Sequence, residues 1–167
     1  MPFALSQTDK QTIHGCLLAF FPKLTLHNYE VTSPCTDAYN CIAMAADDIT
    51  KRWWPTDPRS FTGRDYYWPE GIPREPSKLS FALAFVRLGY EACDSDAYEP
   101  GFEKVALYVN DSEIPTHMAK QLNLGIWCSK LGNEWDIHHE TLQVLHSETY
   151  GHVAQIMKRK IPLGCKR

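Results

Sequence analysis

The sequence predicts one α+β domain in which N-terminal helices pack on a small antiparallel sheet formed by the second half of the chain. Apolar residues recur at helical spacing after Ser6 and again after Ser77. The run "FEKVALYV" has the β-branched and aromatic residues of a strand, and "THMAKQL" and "GIWCSKLG", joined by "NLG", indicate a hairpin. With 167 residues, 44% of them hydrophobic, the chain suits a single domain over residues 1–167.

Three helices are expected in the first half. The first follows the capping signal Ser6-Gln7-Thr8-Asp9 and ends at Pro22. Asp37 and Asn40 favour a second helix that begins at Cys41, runs to about Trp53 and is stopped by Pro55. Ser77 caps a third helix, which Gly89 ends. The predicted apolar stripe of this third helix consists of Leu79, Ala82, Leu83, Phe85, Val86 and Leu88.

Further short segments complete the expected sheet and its ends. The segment "KLTLHNYEVTSPCTD" is a loop or an edge strand, and "EWDIHH" is a third strand or its edge. The segment "SETYGHVAQIMKR" predicts a C-terminal helix that Gly151 weakens.

Composition excludes several classes of function. The formal net charge is −3, and the basic residues are concentrated only in the terminal "MKRKIPLGCKR", so nucleic acid is not an expected partner. The N-terminal segment has no basic leader and "GCLLAFF" is too short to span a bilayer, so we expect a cytoplasmic protein that does not bind membranes. The six cysteines show no CxxC pair, which argues against a zinc ribbon or a disulfide scaffold.

Cys41 is the first candidate for chemistry. It lies at the expected start of a helix, where the helix dipole and unpaired N–H groups lower a thiol pKa and favour the nucleophilic thiolate. The alternative is that Cys41 is a small apolar residue of the core.

The segment from Trp53 to Pro76 is predicted to be a long aromatic loop, because five prolines and two glycines interrupt any regular element. Its aromatic rings would form the wall of a binding cleft, or would pin an irregular segment to the core. The candidates for the cleft wall are Trp53, Trp54, Tyr66, Tyr67 and Trp68.

The order of these features resembles papain-like cysteine enzymes in the broad sense, which include the NlpC/P60, CHAP and transglutaminase-like groups. A cysteine begins a helix, and a strand then carries His117 in "PTHMAKQL", followed by "EWDIHH" with Asp136. The resemblance implies a Cys-His-Asp triad with Cys41 as nucleophile, His117 as base and Asp136 as the group that orients the ring. The chain also resembles a family of small uncharacterised proteins with "NCIA", "GFEKVALY", "TH-A-QL" and "SKLG-DI-H" motifs.

The resemblance implies an amide hydrolase or acyl transferase, such as a peptidase, amidase or glutamine deamidase, that needs neither metal nor organic cofactor. Its substrate would be a peptide or protein amide. The oxyanion donors would be the backbone N–H of Cys41, with the Asn40 or Tyr39 side chain as a second group.

Two other interpretations remain open at this level. Histidines near the C-terminus offer a metal site, although their spacing follows no established ligand motif. Its ligands would be His138, His139, His146 and His152 with Asp136 or Glu140. The second alternative is a non-catalytic interaction module, of the partner or immunity type, that binds a protein through the aromatic loop.

Overall fold

A computed structural model describes residues 3–56 and 66–161 of the chain. It confirms an α+β architecture built on a seven-stranded antiparallel sheet. The helices are α1 (Gln7–Leu18), α2 (Cys41–Ala45) and α3 (Lys78–Val86). The strands are β1 (Tyr29–Val31), β2 (Glu91–Cys93), β3 (Phe102–Val109), β4 (Pro115–Gln121), β5 (Trp127–Lys130), β6 (Asp136–His139) and β7 (His152–Lys160). Their order across the sheet is β1-β6-β5-β4-β3-β7-β2.

The sheet separates two apolar clusters, because successive side chains of each strand point to opposite faces. Val105 and Leu107 of β3 pack with α2 and α3 on one face. Ala106 and Tyr108 of the same strand pack with α1 on the other face. The expected packing of helices on the sheet therefore occurs on both of its sides.

The predicted helix starts are confirmed, but one buried face is not. Ser6 and Asp9 form a capping box at α1, and the Ser77 side chain caps α3. On α3, however, Leu79 and Val86 are exposed, at 65% and 52%. The residues that α3 buries are Ser80, Phe81, Ala84 and Phe85. The predicted stripe is confirmed at Phe85, and Ala82 and Leu88 are partly buried against the core. It was wrong at Leu79 and Val86, because small and aromatic residues face the sheet in their place.

The prediction that the Cys41 helix reaches Trp53 was also wrong. The helix ends at Ala45, and Asp47 has a φ of 63°, which breaks the helical path. The chain then folds back, so that the Trp53 backbone N–H donates to Asn40 Oδ1 at 3.0 Å. The helix cap thus also anchors the start of the aromatic loop.

The predicted C-terminal helix is instead strand β7, which pairs with β3 on one side and β2 on the other. Gly151, just before it, has a φ of 73°, and a Cβ there would lie 1.9 Å from the Val109 carbonyl oxygen. Pairing along the whole length of β3 overrides the weak helical pattern of this segment. Within the described ranges, no helix is long and apolar enough to cross a membrane.

Candidate active site

Cys41 is the first residue of α2 and is only 8% exposed. Burial raises the pKa of its thiol, and the backbone N–H groups of Met118, Ile42 and Cys41 offset this only in part, together with the charge of Arg52. The expected lowering of the pKa at the helix start is therefore wrong. Desolvation outweighs the dipole of a helix that has only five residues. The resting thiol is protonated at neutral pH.

His117 lies in β4 and is completely buried. Its ring stacks on Tyr150 with a centroid distance of 4.1 Å and an interplanar angle of 6°, and Tyr108 packs against it edge-on. Its Nε2 atom lies 2.9 Å from Ser129 Oγ on the neighbouring strand. Burial holds the pKa of His117 well below its usual value near 6.5, so that the ring is neutral.

The hydrogen bonds beyond Ser129 determine which nitrogen of His117 carries the proton. His139 Nδ1 lies 2.9 Å from the Thr141 carbonyl oxygen, which can only accept, so Nδ1 carries the proton. Burial lowers the pKa of His139 to about 4, so its ring is neutral and its Nε2 is an acceptor. Ser129 Oγ, 2.9 Å away, therefore donates to His139 and accepts from His117 Nε2–H.

This assignment leaves His117 Nδ1 without a proton. The atom is buried and has no hydrogen-bond partner among the described residues. An unpaired buried acceptor costs about 1–3 kcal/mol, so native proteins rarely retain one without a use. The ring thus presents a basic nitrogen that nothing in the described structure occupies.

Cys41 lies in the neighbourhood of this histidine. The thiol contacts the backbone N–H of Met118, which immediately follows His117 in β4. Burial raises the pKa of Tyr150, the residue stacked on His117, and the thiolate form of Cys41 adds to this rise. Across residues 3–56 and 66–161, however, no hydrogen bond joins Cys41 Sγ to His117.

Asp136 lies in β6, opposite Lys130. Its Oδ2 accepts from the Tyr39 hydroxyl at 2.5 Å, and its Oδ1 lies 4.0 Å from Lys130 Nζ. Ser129, and not Asp136, is the residue against His117 Nε2. The His117 ring packs with Tyr108 and Tyr150 of the α1-side cluster, whereas Cys41 belongs to the α2-side cluster. The structure therefore brings the Cys41 thiol to the backbone beside His117 and gives the expected orienting position to Ser129.

The two side chains suggested as oxyanion donors have other partners. Asn40 Nδ2 donates to the Trp53 carbonyl at 2.7 Å, while its Oδ1 accepts from the Ala43 and Trp53 N–H groups. The Tyr39 hydroxyl donates to Asp136. Of the groups considered from the sequence, only the backbone N–H of Cys41 remains as an oxyanion donor.

The five aromatic candidates separate into core and surface residues. Trp53 and Trp68 are buried in the cluster on the α2 side, where Trp54 also packs. Tyr67 is 39% exposed, with the Lys51 ammonium 4.3 Å from its ring centroid, and Tyr66 is half-buried. Residues 57–65 of the predicted loop lie outside the described residues. For the tryptophans, the alternative of pinning the loop to the core holds.

In the described ranges, no group of three or more metal-ligating side chains is placed to hold an ion. His139 uses both ring nitrogens in the chain from Thr141 to Ser129. A cavity of about 440 Å³ is lined by residues of α1, β1 and β6, including His138 and Glu140, and does not include Cys41.

Sequence reasoning missed Ser129 and Tyr150, and it named His139 only as a possible metal ligand. A signal for Ser129 exists in the hairpin itself, because the pairing of Ala119 with Ser129 puts Ser129 on the same sheet face as His117. The pairing of Ser129 with Ile137 then brings His139 within reach of the same hydroxyl. Tyr150 comes from a segment that was expected to be helical, so its stacking on His117 had no detectable signal.

Residues 30–158 match a family model described as a domain of unknown function (DUF7689). No curated protein and no solved structure shows a significant match to the chain. The matched range begins in β1 and ends in β7, so it contains Cys41, His117, Ser129 and His139. Because it covers well over half of the sequence, the chain belongs to the DUF7689 family.

Proposed function

We propose that the protein is a cysteine-dependent amide-bond hydrolase or acyl transferase, with Cys41 as nucleophile and His117 as general base, in a papain-like variant of the α+β fold. The observation that carries the proposal is the bare, buried Nδ1 atom of His117. A thiol that is protonated at rest needs a base to become a nucleophile.

The reaction follows from these two groups. Cys41 Sγ attacks the carbonyl carbon of an amide while its proton passes to His117 Nδ1, and a sulfur–carbon bond forms. The carbon–nitrogen bond then breaks, and the imidazolium returns the proton to the leaving amine. Water completes a hydrolysis by attacking the thioester, whereas a second amine completes an acyl transfer. The backbone N–H of Cys41 is the oxyanion donor in this scheme.

Ser129 takes the orienting role that the resemblance assigns to Asp136, because its hydroxyl holds His117 Nε2 at 2.9 Å. Asp136 has a supporting role through Tyr39, which lies two residues before Cys41. Its 2.5 Å hydrogen bond fixes the chain that leads into α2.

The substrate class is a peptide or protein amide. The exposed Tyr67 and the half-buried Tyr66 supply ring surface beside the cations Lys51 and Arg52. Flat rings of this kind bind an extended chain with little loss of side-chain entropy. Trp53 and Trp68 support this surface from the core, and Trp54 packs partly buried against it.

The test is acylation by p-nitrophenyl acetate in a Cys16→Ser, Cys35→Ser background, which removes two exposed thiols. We expect release of p-nitrophenol with acetylation at Cys41, mapped by mass spectrometry, and its loss in Cys41→Ala. His117→Gln should slow acylation by about 10²–10⁴-fold, the usual contribution of a general base.

Cys128→Ala is the matched control, because burial raises the pKa of this half-buried thiol to about 12 and it contacts Met44 of α2. This variant should acylate at the wild-type rate. Acetylation confined to other residues, or a Cys41 rate that His117→Gln leaves unchanged, would reject the enzyme. The interaction module would then be preferred, with Tyr67 as its first contact residue.

A further inference from the structure

We infer that His139 is a positioning residue that acts through Ser129 to hold His117 in the one tautomer able to accept the Cys41 proton. The inference rests on the proposed function, and it extends the site by a second histidine that lies two strands away from His117. No direct contact between His139 and Cys41 is required.

The origin of the effect is the Thr141 carbonyl oxygen, 2.9 Å from His139 Nδ1. A carbonyl has no proton to give, so the hydrogen bond fixes the proton on Nδ1 and leaves Nε2 as an acceptor. His139 is 1% exposed, and water therefore does not compete for either nitrogen. The neutral ring thus has a single tautomer.

The His139 tautomer determines which hydrogen bond Ser129 donates, because a hydroxyl has only one proton. The Ser129 proton points to His139 Nε2 at 2.9 Å, and the oxygen must then accept from the other histidine. That donor is His117 Nε2, also at 2.9 Å. Three hydrogen bonds in series therefore place the free lone pair on His117 Nδ1.

Without the acceptor at His139, the Ser129 hydroxyl is free to reverse. It would donate to His117 Nε2, and the proton of His117 would move to Nδ1. His117 Nδ1 would then carry a proton and could not accept another one. The thiol would lose its base although His117, Ser129 and Cys41 all remain in place.

The direct test is to observe the tautomers in the full-length protein labelled with ¹⁵N-histidine. Long-range ¹H–¹⁵N correlation spectra separate a protonated ring nitrogen from a bare one, and His117→Gln and His139→Gln assign the signals. We expect protonation of His117 on Nε2 and of His139 on Nδ1. Protonation of His117 on Nδ1 in the unmodified protein would overturn the inference.

Two substitutions at position 139 test the direction of the effect. His139→Phe keeps a ring but removes the acceptor, so it should convert His117 to a mixture or to the Nδ1-protonated form. His139→Gln is the matched control, because its amide can donate to Thr141 and accept from Ser129. We expect His139→Phe to slow acylation of Cys41 by up to about 10²-fold, the lower end of what a general base contributes, with recovery in His139→Gln.

The outcomes separate this inference from the proposed function. If His117 and His139 have the expected tautomers but Cys41 is unreactive, the role of His139 stands and the proposed enzymatic function is rejected. If acylation depends on His117 but His139→Phe leaves the His117 tautomer unchanged, the proposed enzymatic function stands and the role of His139 is rejected. A merely structural role for His139 would alter the thermal midpoint without altering the His117 tautomer.

Discussion

The stability of the protein should fall between pH 6.5 and 4.5 because of buried neutral histidines. Burial lowers the pKa of His139 to about 4, against an ordinary value near 6.5 in the unfolded chain. Between pH 6.5 and about 4, His139 therefore binds a proton in the unfolded state but not in the folded state. The contribution of neutral His139 to the unfolding free energy is present above pH 6.5 and is lost as the pH falls towards 4.

The magnitude follows from the two pKa values of His139. One unit of difference corresponds to about 1.4 kcal/mol, so at pH 4.5 His139 alone removes about 2.5 kcal/mol of unfolding free energy. His117 acts with the same sign, because burial and then the charge of His139 hold its pKa well below 6.5. Burial and nearby cations also lower the pKa of His146, which adds to the fall.

Urea unfolding followed by tryptophan fluorescence at several pH values measures this effect. His139→Gln isolates the contribution of His139 to the pH dependence, because the amide keeps two hydrogen-bonding groups but does not titrate. The variant should lose about 2 kcal/mol less than the parent between pH 6.5 and 4.5. Parallel curves for the two proteins would refute the reasoning. Carboxylates such as Asp48, whose pKa is lowered below 3.8, contribute only at lower pH.

Backbone and cap substitutions give further expectations, each measured as a change in unfolding free energy. Gly151→Ala should cost about 2–5 kcal/mol, from left-handed strain plus a clash 1.9 Å from the Val109 carbonyl. Gly132→Ala, at a φ of 58° with nothing within 4 Å, should cost only about 1–2 kcal/mol, and an equal loss at both sites would contradict the clash. Asn40→Ala should cost about 2–3 kcal/mol, because three buried hydrogen bonds disappear with the cap. Ser6→Ala removes an exposed cap and should cost about 1 kcal/mol, so a larger loss than at Asn40 would contradict this account.

The sequence predicted those elements whose signals are local. Ser6 with Asp9, and Ser77, mark helix starts through hydrogen bonds within four residues, and both starts are confirmed. The strand "FEKVALYV" and the hairpin that follows it are likewise confirmed, since their residue types and the turn are adjacent in the chain. Such features need no knowledge of the rest of the fold.

The features that failed depend on distant partners. Strand β7 owes its conformation to pairing with β3, about 50 residues earlier in the sequence, and to the close approach of Gly151 to Val109. Helix α2 ends before the left-handed residue Asp47, after which the chain returns and the Trp53 N–H binds the Asn40 side chain. A single-sequence pattern records neither contact.

In the candidate site too, residues with a local sequence signal were predicted and those that depend on distant partners were not. Cys41 and His117 were selected from their local context, and the structure brings the thiol to the amide that follows His117. The group that orients the ring could not be selected in this way, because "WCSKLG" and "EWDIHH" both offer polar residues on neighbouring strands. The register decides between them: Ser129 shares the sheet face of His117, whereas Asp136 alternates to the opposite face beside Lys130.

Burial determines the resting state of the proposed pair. Desolvation raises the pKa of the Cys41 thiol and lowers that of the His117 imidazole, so both groups are neutral at pH 7. A preformed thiolate–imidazolium pair would need the reverse shifts. Proton transfer must therefore accompany attack on the substrate, and its rate depends on a nitrogen that is already bare when the carbonyl arrives. The Thr141–His139–Ser129 series meets this requirement before any substrate binds, which links the buried polar chain under the sheet to the chemistry proposed at the helix start.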